Sequence, residues 1–290
     1  MSKQLTHLII AVLIALPALA HAELKWTGCG ISKKAYMTEL ADAFEQAEGV
    51  SILVSGGGAT KGIRDTAAGK SDLGGACRHL ILEDAEKGVK LHAVAWDALV
   101  IITHKENAVD DISYENLKKV FSGEITNWKD LGGEDAPVEV LLRKGSISGV
   151  GMMARELIFG DANYKLAGSR EFRSTGPLEK AVESSRYAIA IDGISSAKKR
   201  DLKILELNGI APTVENISSG KYLLFRPLYI ATAAKMTPDV QKFIKFVKSP
   251  EGQEVIASQG TVTLSQGSGL WKPYREHMKT VAGNKKGVFE

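Results

Sequence analysis

The sequence predicts an α/β fold in which parallel strands carry ligand-binding loops at one end. Three observations predict it. Short apolar runs alternate with amphipathic helical patterns along nearly the whole chain. Glycine-rich stretches follow the strand-like runs, where open α/β sheets bind their ligands. The composition is that of an ordinary globular protein, 44% hydrophobic and 24% charged over 290 residues, enough for one large core or two lobes.

The elements follow in order. Residues 1–22, "MSKQLTHLIIAVLIALPALAHA", read as a secretory signal peptide: an early lysine, an apolar run, the helix-breaking Pro17, and a small-residue cleavage pattern at Ala20-His21-Ala22. The apolar run falls short of the ~20 residues that cross a bilayer. The mature chain is therefore expected to start at Glu23 in the periplasm. Removing Lys3 lowers the formal charge from +3 to +2, which makes no case for nucleic acid as a partner.

"LKW" (24–26) reads as the first strand. Residues 34–49 read as a helix with Tyr36, Leu40, Ala43 and Phe44 on one face and Gly49 ending it. "VSILVS" (50–55) is a strand, "TKGIRDTAAG" (60–69) a short helix and "SDLGGA" (71–76) a strand edge. Residues 90–104 form a long β-type run, followed by a helix over 113–123 with Ser113 as N-cap and Gly123 as stop. "VEVLLR" (138–143) is a strand and 149–160 a helix; 176–185 is a helix and "YAIAIDG" (187–193) a strand. Residues 237–260 make two helices parted at Ser249-Pro250.

Glycine-rich turns follow Trp26, Val54, Leu73 and Arg143. Four such turns argue for a small polar ligand held by backbone N–H groups and helix N-termini. A nucleotide is excluded by the residues that would touch phosphate: Ile63 stands where a P-loop counted from Gly57 needs lysine, and Lys33 where a dinucleotide fingerprint from Gly28 needs glycine. No GxSxG elbow is present, and the mature-chain histidines lack metal-motif spacing. Neither an enzyme nor a cofactor is expected.

Taken together, "SGGGATKGI" (55–63), "SDLGGACRHL" (71–80), "AWDALVIITHKEN" (95–107), "LKKVFSGEITNWKDLGG" (117–133), "SGVGMMARELIFG" (148–160), "YAIAIDGIS" (187–195), "NISSGKYLLFRPLYIAT" (216–232) and "SPEGQEVIASQGTVTL" (249–264) occur in a recognisable order. With these motifs the chain resembles the phosphate-binding-protein-like family of ABC-transporter solute receptors, the class II periplasmic binding proteins. The resemblance implies a two-lobe clamp, each lobe a mainly parallel sheet flanked by helices. Lobe one would comprise 23–100 with 229–290 and lobe two 101–228, hinged at both crossings. It also implies an oxyanion ligand, most often phosphate, delivered to an ABC permease or a membrane sensor by a monomer.

Carried over residue by residue, the resemblance points to Ser55, Gly56, Gly57 and Gly58 in one loop, Arg143 before another, and Ser148 and Gly149 within it. Cys29 and Gly30 fall in the first loop and Cys77 in the second. There the chain departs from the family, with Cys29 near an expected hydroxyl, Cys77 in place of Ser or Asp, and Val150 in place of Thr. A thiol donates weakly and valine not at all. For an exported chain the two cysteines allow two readings. One is a disulfide spanning 48 residues of sequence, stabilising by up to ~4 kcal/mol. The other is a pair of thiolates offered to a soft metal or trivalent metalloid.

Overall fold

The computed structural model describes residues 23–81 and 83–282; the leader expected over 1–22 lies outside them. Among the described residues, nine strands form one curled sheet. In its first half β1 (Glu23–Gly28) lies between β2 (Ser51–Gly56) and β3 (Leu73–Ala76), all parallel. In its second half β6 (Glu139–Arg143) lies between β7 (Arg170–Phe172) and β8 (Ala188–Gly193), again parallel. Two strands join the halves. β4 (Val89–His104) pairs antiparallel with β11 (Phe225–Ala233) through Ala98, then from Leu99 onward with β8 and β9 (Leu202–Ile204). β5 (Asp111–Ile112) and β10 (Glu206–Leu207) form a small separate pair.

The sheet is therefore parallel at its flanks and antiparallel through the middle. The middle strands are those in which the chain passes between lobes, and they run against their neighbours. β4 is buried almost continuously from Val94 to Thr103, as a strand covered on both faces must be. Each lobe packs helices on its part of the sheet. Phe44 of the helical run Gly30–Glu48 meets Phe243 at 5.0 Å in the helix Pro238–Lys248.

Several glycines that suggested a ligand are instead occupied by packing. Trp26 is fully buried across Gly28 and Gly75, where an added Cβ would come within 2.3 and 2.0 Å of its ring. A Cβ on Gly62 would lie 2.4 Å from the Thr27 carbonyl oxygen, so glycine is what lets the helix Ala59–Ala67 press onto β1. The Gly74-Gly75 pair accordingly belongs to the core.

The helix Trp271–Ala282 sets Trp271 against Trp96 at 4.5 Å and brings the His277 ring nitrogen Nε2 3.3 Å from the Glu156 carbonyl oxygen. It thereby touches both lobes beside the crossing strands.

Candidate functional site

Strands β1, β2 and β6 end at one gap between the lobes, and four helical segments begin there. In lobe one these start at Gly30, after Cys29, and at Ala59, after Gly58. In lobe two they start at Gly149, after Ser148, and at Thr175, after Ser174. The gap is a cavity of about 360 Å³ lined by these turns together with Cys77 and Arg143. The first amides of a helix have no carbonyl acceptor within it, and its N-terminus carries partial positive charge. Four such ends facing one space make an anion-binding cradle. Gly58 has φ of 90°, a conformation glycine adopts without strain, and this turns the chain from β2 into its helix.

The side chains reinforce the sign. Arg143, Lys144 and Arg173 line the cavity, and none of its lining residues is a carboxylate. Arg143 is partly committed. Its Nε donates to the Phe172 carbonyl at 3.3 Å, Nη1 to the Thr175 hydroxyl at 2.7 Å and Nη2 to the Arg173 carbonyl at 2.9 Å. It thus shapes the turn before Thr175 as well as lining the cavity. The Ser148 hydroxyl donates to Gly145 O, while the Thr60 hydroxyl crosses between lobes to Ile147 O at 2.7 Å.

Cys29 and Cys77 form the floor. Both are free thiols, 6% and 1% exposed. The expected disulfide is thus absent from the structure. Cys29 Sγ instead caps its helix, accepting from the Ser32 amide at 3.3 Å and pairing with the Ser32 hydroxyl at 3.1 Å. Burial raises the Cys29 pKa. Hydrogen bonding with Cys77 and with Ser32, and the charge of Arg226, outweigh burial and bring it down to about 6. Cys77 moves the other way, pushed up by Cys29 and by burial.

Beneath the pair, Arg226 is fully buried and 3.0 Å from Asp97. Its Nη1 donates to the carbonyls of Cys77 and Gly149, tying one lobe to the other.

Of the residues singled out in the sequence, Cys29, Gly30, Gly56, Gly57, Gly58, Cys77, Arg143, Ser148 and Gly149 come together around the cavity. Ser55 does not line it; it sits within β2, exposed and paired with Thr27. Val150 is also at the cavity, whereas Met152 and Met153 are buried in the core. Arg78 forms a buried pair with Glu86 and reaches Ile147 O, and Lys61 pairs with Asp65 at the surface. Sequence reasoning missed the turn Arg173–Gly176 and the buried Arg226. A helix signal over 176–185 was visible, but nothing in it showed that its start meets the other three.

Comparison with known proteins agrees with this architecture. The family model for a PBP superfamily domain matches residues 30–251. The phosphate-binding protein PstS of Borreliella burgdorferi is 35% identical over 194 residues, covering 63% of this chain and 69% of that protein. A putative phosphate ABC transporter substrate-binding protein from Clostridium perfringens, solved with bound phosphate, superposes with a TM-score of 0.76 at 28% identity. The match covers 83% of this chain and 99% of that one. An ABC-type phosphate transport receptor from Vibrio cholerae gives a TM-score of 0.66 at 25% identity, covering 83% and 100%. On the extent of the family match and these relatives, the chain belongs to the PBP superfamily.

Proposed function

We propose that the protein is an exported, non-catalytic receptor that captures phosphate between its lobes and hands it to an ABC permease. The observation that carries this reading is the convergence of four helix starts and three cationic side chains on one cavity without a lining carboxylate. Relatives named for phosphate binding, one of them solved with phosphate, support the ligand. Lobes 23–100 with 229–290 and 101–228 would move about the two crossing strands. Contacts across the cleft supply a closed state: Thr60 and Arg78 to Ile147 O, Lys34 to Ser196, and His79 Nε2 3.0 Å from both Glu156 oxygens. Closure would exclude water and strengthen each amide-to-oxygen bond. Of the hydroxyls lining the cavity, those of Thr60 and Ser148 already donate to Ile147 O and Gly145 O, so backbone amides would carry most of the hydrogen bonding.

Isothermal titration calorimetry of the chain from residue 23, with phosphate and then sulfate, tests this. One phosphate per chain is expected. Absence of phosphate binding, whether or not sulfate binds, would overturn the reading.

A further inference from the structure

The floor of the cavity is chemically unlike its walls. The walls present amide N–H groups, Arg143, Lys144 and Arg173; the floor presents two sulfur atoms, Cys29 and Cys77, both free and both lining the space. Both side chains line one cavity, and a hydrogen bond between them lowers the Cys29 pKa while raising that of Cys77. Neither is tied up in a disulfide, and thiolate is the form that attacks and ligates.

Two thiols can hold only certain ligands. Among the described residues no group of three or more His, Cys, Asp or Glu is placed to hold a metal ion. Zinc, which takes four protein donors in closed sites, is therefore not suited. A bare soft cation satisfied by two sulfurs would face the positive walls and the buried Arg226. A ligand that fits both surfaces has a thiophilic centre and keeps an oxygen for the amides. It also brings no positive charge.

We infer that the Cys29–Cys77 pair is a binding site for a trivalent metalloid oxyacid, arsenous or antimonous acid. It goes beyond the phosphate reading, using the same cleft for a second ligand class. In the binding step two sulfur–metalloid bonds form and two metalloid–hydroxyl bonds break. With both thiols protonated, two waters leave; with one thiolate present, one water and one hydroxide leave. The metalloid remains trivalent, nothing is oxidised or reduced, and its third oxygen stays in place to accept from the cleft amides.

The test uses the chain from residue 23, reduced with a phosphine, freed of reductant and kept anaerobic, and titrated with sodium arsenite. Thiol counting and intact mass spectrometry give the readouts. The expected result is a one-to-one adduct with the mass of arsenous acid less two waters, and loss of both titratable thiols. Cys29→Ser and Cys77→Ser should each weaken arsenite binding by about a hundredfold or more, since two linked contacts give that order of gain over one. Cys29→Ser keeps a good N-cap residue, and its thermal midpoint checks that the variant folds. Two thiols still titratable at saturating arsenite overturn the proposal, as does an adduct undiminished in either variant. Phosphate calorimetry on the same samples is read separately, so phosphate binding without an arsenite adduct overturns this inference alone.

Discussion

Cys29 and Arg226 are two buried side chains at the base of the cavity whose roles can be tested directly. Alkylation of Cys29 should accelerate as pH rises through about 6, because the thiolate is the reactive form and the folded value lies there rather than near the ordinary 9. Peptide mapping after iodoacetamide treatment across that range checks it; a midpoint near 9 would mean that Cys77, Ser32 and Arg226 do not hold the thiolate. Arg226→Met should cost about 3–5 kcal/mol in urea unfolding, because it leaves the buried Asp97 carboxylate without its cation, with only the Ser195 amide and hydroxyl donating to it, and unties the carbonyls of Cys77 and Gly149. A loss under ~1 kcal/mol would contradict that role. Both cysteines were visible as departures from the family's loops, but their state was not. An oxidising compartment allows a bond between them, whereas in the structure both stay free, hydrogen-bonded to each other, and Cys29 also caps its helix through Ser32. Arg226 carried no signal in the sequence, since an arginine in a strand becomes a buried staple only once a facing carboxylate and two lobes are in place.

The elements meet at glycines. A Cβ on Gly149 would fall 2.4 Å from Cys77 Sγ and 3.0 Å from the Ala59 Cβ, so this helix start reaches the other lobe only because it has no side chain. Overpacking of this kind costs about 1–3 kcal/mol. In Gly149→Ala that cost should fall on the closed state and weaken phosphate binding by about ten- to a hundredfold, with the open protein still folded; calorimetry beside circular dichroism separates the two. Gly62→Ala should behave differently. Its clash is with the Thr27 carbonyl inside one lobe, so the expected effect is a lower thermal midpoint. Strand and helix periodicity made most of these elements legible. The glycine stretches were legible as close approaches but not as approaches to what. Gly56–Gly58 face the cavity, while Gly74-Gly75 make room for Trp26 and the helix Ala59–Ala67. The short strands β7 and β9 and the crossing strand β11 carried too little pattern of their own to be placed by periodicity.

At the scale of the molecule, the two lobes share one sheet, so the proposed closure would bend the crossing strands while the bonds across the cleft form. Any ligand that binds only the closed form stabilises the whole fold. At a phosphate concentration 100 times the dissociation constant the gain is about 2.7 kcal/mol, or roughly 5–10 °C in melting temperature for a chain of this size. The two-lobe plan was legible through the order of motifs; the antiparallel middle of the sheet was not, because register between distant segments leaves no local trace. In the proposed complex, helix starts from both lobes grip one oxyanion. A crystal structure grown with phosphate tests it most directly. A tetrahedral anion is expected within hydrogen-bonding distance of amides following both Gly58 and Ser148. Phosphate held by one lobe only, or an empty cleft at saturating phosphate, would contradict it.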